Sequence, residues 1–191
     1  MYSKRIDLAF TTMLEAHGLR RGKSGKGFQA THVTSVAMIV ADYGFDEDTI
    51  IAALLHDTLE DTDLASSVIQ SLFGKTVLAT VQDVSEPSKS REWRQRKEVY
   101  IEQLRTTPRN AARAVASADK SHNLSRMSDG LRNDGKNFFN FFSASLKEMV
   151  WYQKQVLDTL SRSWNHRILE EHAHQANVFF ELVDYIDAKK R

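Results

Sequence analysis

Apolar side chains recur along the chain at the three- and four-residue spacing of a helix, not at the two-residue alternation of a strand. Ala37, Ile39 and Val40 mark one such stripe, and Ile50, Ala53 and Leu54 a second. Val77, Leu78 and Val81 form a third, and Val99, Ile101 and Leu104 a fourth. No alternating pattern runs beyond a few residues, so the chain reads as an all-α protein of about eight to ten helices. Gly44, Gly74, Gly130 and Gly135 are placed at helix ends. Pro87 and Pro108 stand where a helix starts or a loop runs, and "SEPSKSRE" (85–92) reads as a polar loop. A single domain over residues 1–191 is expected, with its core at about 5–160. An amphipathic helix at about 165–190 either closes that domain or forms a homodimer contact.

Composition narrows the function classes. The chain is 41% hydrophobic and 27% charged, the balance of a globular domain. Without cysteine there is no disulfide, thiolate metal site or cysteine nucleophile, and a reducing compartment is compatible. A net charge of +1 argues against a nucleic-acid partner held by bulk electrostatics. No segment offers about 18 uninterrupted apolar residues, so no membrane span is expected. The opening "MYSKRIDLAFTTML" lacks a signal-like apolar run, and a cytoplasmic protein is expected. A second catalytic domain is not expected within 191 residues.

The candidate chemistry starts at "LLHDTLEDTD" (54–63), where an apolar run gives way to His56, Asp57, Glu60, Asp61 and Asp63. On a continuous helix, His56 and Glu60, and likewise Asp57 and Asp61, would stack four residues apart on one face. Upstream, "QATHVTSVAMIV" puts His32 in the first turn of an apolar helix. Downstream, "AARAVASADKSHNL" puts Asp119 after a small-residue face that must pack closely, where an unpaired carboxylate would be costly. His32, His56, Asp57 and Asp119 make a two-imidazole, two-carboxylate set suited to Mn(II), Fe(II) or Zn(II).

This order of histidine, His-Asp and aspartate resembles the HD-domain metal phosphohydrolases. "ALLHDTLEDT", followed about sixty residues later by "ADKSHNL", is similar to the hydrolase domain of the RelA/SpoT homologues and to the free-standing small alarmone hydrolases. The resemblance implies an all-helical enzyme carrying one Mn(II) per chain. Such an enzyme removes the 3′-pyrophosphate of (p)ppGpp or a related purine nucleotide. It makes His32, His56, Asp57 and Asp119 the metal ligands, and Glu60 and Asp61 the acidic pair near the attacking water. It also makes Asn123 a nucleotide contact, and the "RRGKSG" loop, with Arg21, Lys23 and Ser24, the holder of base and phosphates. Either Arg21 or Lys23 takes the base-contacting place.

The pattern also departs from the family. Phe28 stands where Pro-Tyr usually precedes the first histidine, Ser121 replaces a preferred leucine, and Arg126 replaces a small polar residue at the sugar-phosphate contacts. Lys120 adds charge for a polyphosphate, while "REWRQRK" (91–97) is open to two readings, a solvated helix face or a phosphate contact. The aromatic stripe at 137–160 reads as core, with Tyr152 set apart as a base-stacking candidate. His172 and His174 lie on different helical faces, which argues against a second metal site. Two rival readings keep the same residues: a phosphatase of another nucleotide, such as a 5′-monophosphate or phosphorylated dinucleotide, and a non-catalytic nucleotide sensor.

Overall fold

The computed structural model describes residues 3–22, 27–87 and 90–189. Among these are ten α-helices and one 3-10 helix, with no strand beyond a single bridge between Arg21 and Phe28. The helices are α1 (Lys4–His17), α2 (Gln29–Asp42), α3 (Glu47–Leu55), α4 (Thr58–Asp61), α5 (Ser66–Phe73), α6 (Lys75–Val84) and α7 (Trp93–Thr106). Then come α8 (Asn110–Asp134), the 3-10 segment (Gly135–Phe141), α9 (Leu146–Ser163) and α10 (Ile168–Ala188). No described helix is long and apolar enough to cross a membrane.

Local chemistry sets several of these boundaries. The Ser3 and Asp46 side chains accept from the backbone N–H groups of Ile6 and Thr49, satisfying donors that the first turns of α1 and α3 leave open. Ser145 and Glu148 form a reciprocal capping box at the start of α9. Arg5 ties α1 to the acidic first turn of α3 through Glu47 and Asp48. The described residues 85–87 and 90–92 of the polar stretch lie outside helix, between α6 and α7.

Helix α8 organises the molecule. Residues 114–121 are buried without interruption, so this stretch has no solvent face and runs through the interior. Small side chains (Ala114, Ala116, Ser117, Ala118) let α2, α3 and α6 pack closely on one side, and α10 packs along α8 on another. The main apolar cluster draws on α1 to α9 and the start of α10, with Ile51, Leu54, Val115 and Leu160 among its fully buried members. A second cluster joins the C-terminal half of α8 to the 3-10 segment and α10 through Leu124, Met127, Phe138 and Phe179.

Two expectations change. Helix α3 stops at Leu55 instead of carrying the acidic run onward. The Thr58 hydroxyl donates to Leu55 O at 2.6 Å and His56 Nδ1 donates to Ala53 O at 2.8 Å, so side chains take up carbonyls at the end of the helix. Glu60 and Asp61 lie on a separate single-turn helix. Gly130, expected at a helix end, lies inside α8 because a Cβ there would meet the Phe138 ring at 2.4 Å. Only a bare backbone lets that ring lie against the helix.

Burial makes a histidine on α10 acid-labile. His172 on α10 is fully buried with neither ring nitrogen hydrogen-bonded. Burial, and then the positive charge of Lys120, push its pKa from 6.5 down to about 4. Below pH 6.5 the unfolded chain takes up a proton that the folded chain refuses, so this contribution is intact above pH 6.5 and falls towards pH 4. The shift corresponds to about 3 kcal/mol at its limit. Urea titrations of wild type and His172→Leu should show the wild type losing about that much more stability between pH 7 and pH 4. Parallel pH profiles would show that His172 is not the responsible group.

Candidate metal centre and active-site cavity

Three helices deliver donor atoms to one point. His32 comes from the first turn of α2, His56 from the turn after α3, and Asp119 from the middle of α8. All three are buried, and their donor atoms lie within 4.8 Å of one another, a set that could hold a metal ion. His32 Nε2 is 3.2 Å and His56 Nε2 3.9 Å from Asp119 Oδ1. Asp57 closes the group, with Oδ1 3.2 Å from His56 Nε2 and Oδ2 3.6 Å from His32 Nε2.

The surroundings favour a cation here. His56 Nδ1 is committed to Ala53 O, which directs Nε2 inward, yet Nε2 is buried with no hydrogen-bond partner. Such an orphan is costly unless something electrophilic meets it. Burial alone would lower the His56 pKa, but Asp57 and Asp119 outweigh it and raise it. Burial alone would raise Asp119, but Lys120, His32 and His56 hold it well below the carboxylate range. Asp119 is therefore an ionised donor, with Lys120 Nζ at 2.5 Å on one oxygen and Asn123 Nδ2 at 2.5 Å on the other. Two neutral-capable imidazoles and two carboxylates fit a divalent first-row ion.

The sequence reading passed over two neighbours of this group. Gln29 Nε2 donates to Asp57 Oδ2. His122 Nδ1 lies 2.7 Å from His32 Nδ1. Burial, and then the nearby His32, push the His122 pKa down to about 4, so its ring is neutral at pH 7. His122 stood in view within "ADKSHNL"; only the packing of α8 against α2 shows which ring it serves.

The cluster opens into a cavity of about 570 Å³. Glu60 and Asp61 both line it but have different partners. Glu60 Oε1 accepts the Glu86 backbone N–H, and burial followed by the Asp57 charge pushes Glu60 up to about 7. Asp61 faces Arg20, which donates to its carbonyl and has its guanidinium 4.0 Å from the carboxylate. Arg96 and Lys97 on α7 also line the cavity, both paired with Glu86, and their side chains are only 15% and 13% exposed. That face of "REWRQRK" is thus a cavity wall, while Arg94 lies outward over Trp151.

Arg21, Lys120, Asn123, Arg126 and Tyr152 also line the cavity. Arg21 lies 4.2 Å over the Phe28 ring, so the residue replacing the family's Pro-Tyr serves as its platform. Lys23 and Ser24 fall outside the described residues. The Tyr152 ring is 3% exposed, edged by Trp93 and Tyr100, with the Lys97 and Lys120 ammonium groups 4.5 and 5.4 Å from its centroid. That packing leaves a purine no open face of Tyr152.

Residues 9–137 match the HD domain family. The chain is 40% identical over 88 residues to a guanosine-3′,5′-bis(diphosphate) 3′-pyrophosphohydrolase of Aquifex aeolicus, covering 46% of this chain and 12% of that protein. It is 34% identical over 136 residues to the bifunctional (p)ppGpp synthase/hydrolase SpoT of Escherichia coli K12, covering 69% of this chain and 19% of that protein. The chain thus spans a fifth or less of these curated relatives. Among solved structures, a metazoan SpoT orthologue described as hydrolysing ppGpp aligns with a TM-score of 0.76 and 26% identity, covering 95% of this chain and 96% of that one. The lmo0812 protein of Listeria monocytogenes EGD-e aligns with a TM-score of 0.71 and 30% identity, covering 78% of this chain and 99% of that one.

The His32–His122 contact yields a test of the centre that does not depend on activity. A ring that fixes the tautomer and orientation of a ligating histidine contributes about ten- to hundredfold to metal affinity. Competition against a chromophoric chelator should show that loss in His122→Ala, with the fold retained. Unchanged affinity would mean that His122 does not orient the centre.

Proposed function

The chain belongs to the HD-domain family, and from that premise we propose that it is a metal-dependent hydrolase that removes the 3′-pyrophosphate of alarmone nucleotides such as (p)ppGpp or (p)ppApp. The observation that carries the proposal is the buried, unpaired His56 Nε2 facing His32, Asp57 and Asp119, beside a glutamate at about 7. His32, His56, Asp57 and Asp119 would hold one divalent ion, Mn(II) in this reading. When bound, such an ion acidifies water from a pKa of about 16 towards about 7 and polarises a phosphoryl oxygen. A reducing, cytoplasmic setting suits a cysteine-free chain of this kind.

The chain's own residues then have separable tasks. Glu60 is the general base: Oε1 is fixed by Glu86 N–H, which leaves Oε2 to take a proton from water. The water oxygen bonds to the phosphorus nearest the 3′ oxygen, that P–O bond breaks, and the 3′ oxygen takes up the proton. The products are a 3′-hydroxyl and pyrophosphate. Asp61 holds Arg20 at the cavity mouth. Arg96 and Lys97, both paired with Glu86, line the cavity wall and offer cationic donors to phosphoryl oxygens. Asn123 holds the second Asp119 oxygen and stands one helical turn along α8, within reach of a sugar.

Incubating Mn(II)-loaded protein with ppGpp, ppApp and nucleoside 5′-monophosphates should release pyrophosphate from the first two, and a chelator should stop it. Release of orthophosphate alone would favour a phosphatase, and no release a sensor. In Glu60→Gln, ion and nucleotide binding should persist while kcat falls about a hundred- to ten-thousandfold. An unchanged kcat would remove Glu60 from the reaction.

A further inference from the structure

Asp57 differs from the other candidate ligands in how its side chain is placed. His32, His56 and Asp119 bring donors within 4.8 Å of one another, and Asp57 is not part of that set. It follows the end of α3 and precedes α4 without a side-chain bond to that helix. Its carboxylate is held from outside instead, by Gln29 in the first turn of α2, whose Nε2 donates to Oδ2. Only the N–H end of an amide can meet a carboxylate oxygen, which fixes the direction of the Gln29 side chain.

Gln29 is itself tied in. Its backbone N–H donates to Arg20 O at 2.9 Å, the Arg20 guanidinium donates to Asp61 O, and the Asp61 backbone N–H returns to Asp57 O at 3.0 Å. These contacts close a ring through Arg20, Gln29, Asp57 and Asp61. The Gln29 amide is therefore a strut between the start of α2 and the turn that carries the ligand. Gln29 lines the cavity and stands in "KGFQATH", where the chain departs from the family's pattern ahead of its first histidine.

The two carboxylates of the centre are held alike. Lys120 Nζ occupies Asp119 Oδ2, while Oδ1 faces the imidazoles, 3.2 Å from His32 Nε2. Gln29 occupies Asp57 Oδ2, which lies 3.6 Å from His32 Nε2, while Oδ1 lies 3.2 Å from His56 Nε2. In each case an outside donor takes one oxygen and leaves the other turned to the imidazoles. A carboxylate engaged in this way serves an ion through one oxygen, whereas a free one can chelate with both.

Resting on the metal centre proposed above, we infer that Gln29 is a positioning residue that makes Asp57 a single-oxygen ligand. The protein then gives the ion two imidazole nitrogens and one oxygen from each carboxylate. An octahedral ion so held keeps positions for water and a phosphoryl oxygen, one of which a chelating Asp57 would take up.

The test loads wild type, Gln29→Met and Gln29→Ala with Co(II), whose visible absorption weakens as its coordination number rises. Mn(II) affinity is measured alongside, by competition against a chromophoric chelator. Methionine keeps the length of the side chain without its donor. Alanine, at this half-buried first-turn position, carries the test if the methionine variant does not fold. In the variants Asp57 is free to chelate, so the Co(II) absorption should weaken, and with the ligand no longer held Mn(II) affinity should fall about tenfold. A merely structural role for Gln29 would lower affinity and leave the absorption as it is. A wild type that binds neither ion overturns the metal centre and this role with it. A wild type that binds, with variants that keep its Co(II) absorption, overturns the role of Gln29 alone.

Discussion

An aspartate and a lysine side by side in a helical stretch that is buried all round are the constraint on which the site depends. Removing either charge from water is expensive, and a pair in contact offsets that cost only when the remaining donors and acceptors are also met. Asp119 meets Lys120 and Asn123 on its own helix and His32 across the interface with α2. Lys120 in turn lies 4.9 Å over Tyr100 and 5.4 Å over Tyr152, which draws α7 and α9 towards α8. One buried carboxylate thus fixes the relative placement of four helices. The small residues before it allow the backbones to come close enough for His32 and His56 to reach the same point.

The second constraint is that two apolar clusters meet without merging. The main cluster ends near Tyr100 and Tyr152, and the second begins at Leu124 and Met127, with the cavity opening where they adjoin. Gly130 keeps this arrangement by admitting the Phe138 ring against α8, so the far wall depends on the absence of a single methyl group. Stability and function make different demands here. Filling the cavity would join the clusters and gain packing energy, but would remove the space that the chemistry needs.

Much of this was legible in the residues, and the limits have physical reasons. The helical spacing of Ile50, Ala53 and Leu54, and of Val77, Leu78 and Val81, marks buried faces because burial follows a period of 3.6. His32, His56, Asp57 and Asp119 could be picked out because imidazoles and carboxylates in apolar surroundings need a partner. The end of α3 was not legible, since it is set by two side chains bonding carbonyls behind them, a choice that competes with continued helix by little energy. Gly130 read as a terminus because its reason lies eight residues away, in a ring that only the fold brings back. His122 and Gln29 were missed for the same reason: each acts across an interface that no local pattern encodes. The sign alternation of "REWRQRK" fits a solvated helix and a half-buried one equally well.

Charge balance shows what a bound cation would change in such a cavity. Its described lining carries six cationic side chains, Arg20, Arg21, Arg96, Lys97, Lys120 and Arg126, against the carboxylates of Asp57, Glu60, Asp61, Glu86 and Asp119. Such a near-neutral wall has little net pull on a polyphosphate, and most of its cations are already engaged by acids. A divalent ion held among His32, His56, Asp57 and Asp119 would offset the two carboxylates that repel phosphate at the reacting end. Glu60 reinforces the effect, because with a pKa of about 7 it carries only part of its charge at neutral pH. The buried carboxylate that organises the fold would, with a cation beside it, also make this end of the cavity more receptive to an anion.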